Sequence, residues 1–303
     1  MVKPMKSKLK HLNLELTNRC NYRCVSCPTT FSKFMRGDIS SDLFKSILDE
    51  TGYHIKKIYF WNYGESLLHP DVVNLFEYVR KYSCKKIVST NGSNLNCFTN
   101  LNFLTALDEI ILSINGLTQN TYQFHQRGGN LEEVISGVKR LARTIPEKST
   151  KLVLQFVINT VNQYEISELR KFASDIKIDE VILKTFNVMD NQFETYNKFV
   201  PIDKRYSRYP NGLFSLYRPG NKAPCLNSMV INWSGDVSPC CWDYHRKYTF
   251  GNVSNKGVYD IWNSPEMLIH REKIFDNNYL DICNNCPSQT TITRIKISKC
   301  SNE

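Results

Sequence analysis

The chain has 303 residues and is 41% hydrophobic, enough to bury a sizeable core in one large or two modest domains. Charged residues make up 22% and no long apolar run occurs, which argues against both a membrane-spanning and a disordered chain. The net charge of +10 comes from lysines and arginines scattered from Lys3 to Lys299, without a stripe that interleaves them with aromatics, so no nucleic-acid partner is expected.

The N-terminal stretch MVKPMKSKLK is basic but never reaches an apolar signal core. It runs into HLNLELT (11–17), whose alternation predicts a first strand. SSDLFKSILDE (40–50) predicts a helix with Ser40 or Ser41 as N-cap, and IKKIYFWN (55–62) a second strand. Pro70 is expected to open the helix PDVVNLFEYVRKY at the first-turn position that proline favours. CKKIVSTNG (84–92), DEIILSING (108–116), KLVLQFVIN (151–159) and DEVILKTF (179–186) read as further strands. Between them lie a weaker helix near 98–106, a clear one at LEEVISGVKRLART (131–144) and another around 163–174.

Six strands, each but the last followed by a helix, imply a parallel sheet with helices outside. Six units fall short of a closed eight-fold barrel. The expected fold is α/β, a partial (β/α)6 TIM-like barrel followed by a small cysteine-rich domain. Residues 1–186 form the expected barrel. Residues 187–223, rich in Tyr, Asn, Arg, Pro and Gly, read as a connector or as a cover for the barrel mouth, and 224–303 as the C-terminal domain.

Eleven cysteines without a signal peptide point to a reducing, cytoplasmic compartment, where clustered cysteines are more often metal ligands than disulfides. TNRCNYRCVSCP (17–28) sets Cys20, Cys24 and Cys27 at CxxxCxxC spacing just after the first strand, at the rim where active sites sit on such sheets. Three thiols are one short of a structural zinc site and do not pair off into disulfides. They suit a four-iron cubane with one iron left open.

This loop resembles the cluster loop of radical S-adenosylmethionine (radical SAM) enzymes. YGESLLHP (63–70) is similar to the family's Gly-Gly-Glu motif, with Tyr63 where the first glycine is usual. STNG (89–92) ends the third strand, and LSINGLTQNTY (112–122), followed by the arginine of HQRGG (125–129), ends the fourth. The resemblance implies a 4Fe-4S cluster on Cys20, Cys24 and Cys27, its open iron chelated by the amino and carboxylate groups of S-adenosylmethionine. It also implies reductive cleavage to methionine and a 5′-deoxyadenosyl radical that abstracts hydrogen, with a reductant such as flavodoxin or ferredoxin. Gly64 and Glu65 are then expected at the cofactor's ammonium group, Ser113 and Asn115 at its ribose or carboxylate, and Arg127 at the methionine carboxylate. His69 reads as a cap without chemistry.

Cys225, Cys240 and the CNNC pair Cys283 and Cys286 resemble the SPASM type of C-terminal extension, or its trimmed twitch form, since only Cys300 follows. The resemblance implies one auxiliary 4Fe-4S cluster on Cys225, Cys240, Cys283 and Cys286; structural zinc on the same four is the alternative. Cys241 reads as a small buried residue, a spare thiol or a hydrogen donor to a substrate radical. Cys84 and Cys97 read as ordinary buried cysteines. The expected reaction is hydrogen abstraction from a small-molecule, sugar- or aminocyclitol-like substrate, giving oxidation or epimerisation. The first strand begins near Leu12, which is expected to leave no room for a peptide-recognition domain ahead of it. Maturation of a ribosomally made peptide and a non-catalytic iron–sulfur or zinc binding module are the alternatives.

Overall fold

The computed structural model describes residues 7–146, 149–209, 212, 223–276, 278–284, 286 and 293–297. The strands are β1 (His11–Leu14), β2 (Lys57–Tyr59), β3 (Lys85–Thr90), β4 (Glu109–Ser113), β5 (Lys151–Ile158), β6 (Glu180–Thr185), β7 (Ser228–Ile231), β8 (Val237–Ser238) and β9 (Thr293–Lys296). The helices are α1 (Pro28–Phe31), α2 (Ser41–Thr51), α3 (Val72–Tyr78), α4 (Gln119–His125), α5 (Leu131–Thr144), α6 (Leu169–Asp175), α7 (Phe193–Phe199), α8 (Val258–Trp262) and α9 (Pro265–Phe275). Strand order is β8-β7-β1-β2-β3-β4-β5-β6-β9, so the sheet has two ends and is open rather than closed. Among the described residues no helix is long and apolar enough to cross a membrane.

Contacts divide the chain into two compact units, and β3 passes from one to the other between Lys86 and Ile87. The first unit comprises Met1–Arg19, Ser32–Lys86 and Phe214–Gln289. There β1 lies parallel to β2 on one side, with Leu12 opposite Ile58, and to β7 on the other, with Leu12 opposite Met229. Leu12, Leu14, Ile58, Met229 and Ile231 are all fully buried, and each contributes about 1.5–3 kcal/mol by leaving water. The short strands expected in a separate C-terminal domain are thus partly members of the main sheet: β7 extends it beside β1. Ser40 accepts from the Leu43 amide at 3.2 Å and caps α2. The α2 ring of Phe44 meets Phe60, just past β2, which in turn meets Phe76 of α3, at centroid distances of 5.9 and 5.4 Å. Pro70 falls outside α3, which starts at Val72 behind Asp71. The segment before it is a short turn, Ser66–Leu68, closed by His69, so proline follows a turn instead of opening a helix.

The second unit comprises Cys20–Phe31, Ile87–Leu213 and Thr290–Glu303. Parallel pairing runs β3-β4-β5-β6, and β9 closes on β6 antiparallel. Ile110, Leu112, Leu154, Phe156 and Val181 have no exposed surface, as expected for strands covered on both faces. The stretch near 98–106 forms only single 3-10 turns, Leu95–Cys97 and Asn102–Ala106. The chain after β6 buries a core of its own, in which Phe186, Val188, Phe199, Val200 and Tyr209 pack with Val25 of the first cysteine loop. β9 was not legible as a strand. Arg294 on it pairs with the buried carboxylate of Glu180, which Lys151 also meets at 2.5 Å.

Glu50 on α2 accepts from the amides of Val258 and Tyr259, both at 2.8 Å, where the N-cap of α8 is a glycine with no side chain to offer. Glu50→Ala should lower stability by about 1–2 kcal/mol and Glu50→Gln by less, read from the urea midpoint of the anaerobic holoprotein.

Candidate functional site

In the second unit, Cys20, Cys24 and Cys27 lie half-exposed in the loop that ends in α1. The loop is held from several sides. The amides of Arg23 and Val25 donate to the carbonyls of Arg127 and His125, both at 3.0 Å, and these two bonds lay the loop along the chain leaving α4. The Arg23 guanidinium donates to the Cys20 and Tyr22 carbonyls at 3.0 Å. Between Cys24 and Cys27 the chain turns tightly, with Ser26 at φ 59° and the Cys27 amide on the Cys24 carbonyl at 3.3 Å. The Ser26 hydroxyl accepts from the Met189 amide at 2.5 Å, which fastens the turn to the segment after β6.

Two features of this support lay unassigned within the quoted motifs. Asn91 of STNG donates to the Asn21 side chain at 3.0 Å, and Asn21 donates to Ser93 at 2.8 Å, so the end of β3 steadies the residue after Cys20. The Tyr122 hydroxyl donates to that of Tyr22 at 3.2 Å, and both rings are buried. Their signal was the presence of polar groups at strand ends and in a helix that is otherwise apolar inward. His125 is fully enclosed, and burial pushes its imidazole down to about 4, against a hydrogen bond to the Val25 main chain that opposes the fall.

Ser113 and Asn115 follow from β4 in the same unit. The Asn115 side-chain oxygen accepts from the Val157 amide at 2.7 Å, and its main-chain N–H donates to Gln126 at 2.8 Å. Ser113 Oγ accepts from Gln155 at 3.3 Å. Arg127, next to Gln126, has an exposed side chain.

In the first unit, Gly64 has φ +88°, and a Cβ there would lie 2.4 Å from the Thr17 carbonyl and 2.7 Å from Asn18 Cα. Only glycine allows this approach. The Glu65 amide then donates to the Arg19 carbonyl at 2.7 Å. The Glu65 carboxylate is buried and accepts from the Leu67 amide at 3.1 Å. Glu15, passed over in the sequence, has no exposed surface and accepts from the amides of Tyr63 at 3.0 Å and Trp233 at 3.2 Å and from Arg246 at 3.2 Å. Burial raises its carboxyl above the usual range, against the pull of Arg246.

The second cysteine set also lies in this unit. Burial raises the Cys225 thiol to about 12, with Cys286 and Cys283 adding to the effect, and raises Cys283 to about 11. Burial lifts Cys240 well above the ordinary thiol, and Cys241 and Cys225 add to it. Cys225 and Cys240 thus each feel Cys283 as a neighbour. The Trp242 amide points at Cys240 Sγ from 3.3 Å. Four thiols are a donor set that fits an iron–sulfur cluster, whose charge would let them ionise. Among the described residues, no three His, Cys, Asp or Glu side chains gather about a single-ion site. Cys241 is exposed rather than buried, and its carbonyl accepts from the Tyr63 hydroxyl. Cys97 is exposed too, whereas Cys84 is buried as expected.

Comparison with known proteins bears on both regions. The family model described as "Radical SAM superfamily" matches residues 14–173, more than half of the chain, and the SPASM "Iron-sulfur cluster-binding domain" matches residues 225–287. The tungsten-containing aldehyde ferredoxin oxidoreductase cofactor-modifying protein of Pyrococcus furiosus is 26% identical over 92% of this chain and 87% of its own length. The antilisterial bacteriocin subtilosin biosynthesis protein AlbA of Bacillus subtilis is 24% identical over 86% of this chain and 60% of its own. Among solved structures, BtrN in complex with AdoMet and 2-DOIA aligns over 95% of this chain and 96% of its own, with TM-score 0.59 and 18% identity. Streptococcus suis SuiB bound to S-adenosylmethionine aligns over 86% and 67%, with TM-score 0.63 and 18% identity.

The raised thiols carry a prediction for the protein without metal. At pH 8, Cys225, Cys240 and Cys283 should react with iodoacetamide at least ~100-fold more slowly than Cys97, read by mass spectrometry, because only thiolate attacks. A thiol held neutral in the fold contributes stability that is complete below pH ~9 and fades as the pH climbs toward 12, so the metal-free chain should lose stability across that window. Equal rates for all four thiols would contradict the clustering.

Proposed function

This chain belongs to the radical SAM superfamily and carries a SPASM domain, and from that premise we propose that it takes hydrogen from a small-molecule, sugar- or aminocyclitol-like substrate, leaving an oxidised or epimerised product. Membership brings S-adenosylmethionine, a 4Fe-4S cluster and auxiliary iron–sulfur chemistry. When bound, these groups supply a one-electron cleavage of the sulfonium and a radical strong enough to abstract hydrogen from unactivated carbon.

The chain's own residues hold and orient. In this reading Cys20, Cys24 and Cys27 give up their protons and serve as three thiolate ligands. Gly64 lets the main chain approach, and Glu65, steadied by its bond to Leu67, offers its carboxylate to an ammonium group. Asn115 spends its oxygen on Val157 and so presents its amide N–H groups, while Ser113 presents a hydroxyl. Arg127 offers a forked donor to a carboxylate. Cys225, Cys240, Cys283 and Cys286 would hold the auxiliary cluster, which would supply a one-electron acceptor for an oxidation. In an epimerisation the exposed Cys241 thiol returns a hydrogen atom. In these terms residues 1–186 are the initiating barrel, 187–223 a connector and 224–303 the auxiliary domain. A flavodoxin or ferredoxin supplies the electron, and the compartment is the cytoplasm, where the eleven cysteines stay reduced.

The observation that carries the small-molecule reading is the likeness to BtrN, solved with 2-DOIA, which aligns over 95% of this chain with TM-score 0.59. This chain spans 67% of SuiB and 60% of AlbA. Peptide maturation remains the second reading because AlbA, a bacteriocin biosynthesis protein, is 24% identical over 86% of this chain.

Replacing Cys20, Cys24 and Cys27 together by alanine should abolish 5′-deoxyadenosine formation and lower the iron content from about eight to about four per chain; retained formation would overturn the assignment. With deuterated sugars and aminocyclitols as a panel, the wild-type holoenzyme should move deuterium from one of them into 5′-deoxyadenosine. Turnover stimulated only by a peptide would replace the small-molecule reading with the second one.

A further inference from the structure

Glu15, Tyr63, Cys241, Asp243 and Arg246 close a ring within the first unit. The two oxygens of the buried Glu15 carboxylate hold the Tyr63 amide at 3.0 Å and the Arg246 guanidinium at 3.2 Å. From Tyr63 the phenol hydroxyl reaches the carbonyl of Cys241. From there the chain turns back. The Asp243 amide donates to the Cys240 carbonyl at 3.2 Å and the Arg246 amide to the Asp243 carbonyl at 3.0 Å. The Asp243 carboxylate takes the amides of Lys247 and Tyr248, both at 2.9 Å, which stiffens the same turn. Arg246 stands at φ 52°, a left-handed conformation that costs a non-glycine residue about 1 kcal/mol or more, yet it is the conformation from which its side chain returns to Glu15.

Two features separate this ring from ordinary packing. Its hub is a carboxylate with no exposed surface, and a buried charge stays in place only when each of its oxygens is bonded. Its reach across to Cys241 depends on Tyr63, at the position where the motif usually has glycine. Glycine has no hydroxyl, so the contact belongs to this chain's own sequence. Tyr63 is also covalently joined to Gly64 and Glu65, so whatever fixes Tyr63 on Cys241 sets the distance between that thiol's main chain and the Gly64–Glu65 loop.

We propose that Tyr63, acting with Glu15 and Arg246 as one closed frame, is a positioning residue that holds Cys241 beside the Gly64–Glu65 loop, so that the thiol faces the substrate radical at a fixed place. The frame's purpose rests on the reading of Cys241 as hydrogen donor; its existence does not, because Tyr63 binds the Cys241 carbonyl and not its sulfur.

The test is deuterium exchange into the 240–248 amides of the reconstituted holoenzyme, with iron content as the control for intact clusters. Tyr63→Phe should raise exchange there about five- to tenfold, as loss of one hydrogen bond does. Arg246→Gln should do the same, Arg246→Lys should recover most of the protection, and the double variant Tyr63→Phe/Arg246→Gln should exchange well below the product of the two single effects, since one ring opens once. Exchange unchanged in Tyr63→Phe, or effects that multiply as for independent contacts, overturns the frame. Cys241→Ser keeps the carbonyl and should leave exchange at the wild-type level. If that variant turns over substrate with the same stereochemical outcome while Tyr63→Phe loosens the turn, the donor reading falls and the frame stands.

Discussion

The bond from the Glu65 amide to the Arg19 carbonyl, 2.7 Å long, is the contact that fixes the Gly64–Glu65 loop within the first unit. It exists because Gly64 has no Cβ: any other side chain would meet the Thr17 carbonyl at 2.4 Å, and φ +88° would be strained besides. The loop after β2 is thereby bonded to the chain that leaves β1, within the first unit. The close approach that Gly64 permits here is to the protein's own main chain.

Within each unit, polar groups are buried that would be costly if left unmatched. Glu15 and Glu180 are enclosed carboxylates, each met by arginine and by further donors. The cysteine loop is tied by main-chain bonds to Arg127 and His125, by side chains to Asn91 and Tyr122, and by Ser26 to the segment past β6. Such cross-bracing holds the geometry of a loop whose three thiols would otherwise move with it. In the C-terminal region the same logic runs through thiols. Cys225, Cys240 and Cys283 are pushed up by burial and by each other, an arrangement that is unfavourable for thiolates until a cationic cluster joins them.

Much of this was legible in the sequence because its signals are local. The six strands, the cap at Ser40 and the CxxxCxxC loop after β1 are patterns of period and spacing and lie where they were expected, whereas the helix after β3 is reduced to 3-10 turns. Three things were not legible. The pairing of β7 with β1 joins residues more than two hundred apart, and four apolar residues do not announce which strand they will lie beside. β9 is short and charged and owes its place to Arg294 meeting a carboxylate on β6. Glu15 carries no local signal: its partners Tyr63, Trp233 and Arg246 come from three distant segments, so only tertiary structure shows it to be a hub. Cys97 differs from expectation for a related reason: the stretch around it forms loose 3-10 turns and leaves the thiol at the surface.

The central claim is that Cys20, Cys24 and Cys27 leave one iron of a cubane open to S-adenosylmethionine. It is tested most directly by electron–nuclear double resonance on the reduced holoenzyme with S-adenosylmethionine isotopically labelled in its amino nitrogen and carboxylate oxygens. The account predicts hyperfine coupling from both labels to the cluster in the wild type and from neither in Cys24→Ala. A reduced cluster that binds the cofactor yet couples to neither label would contradict it.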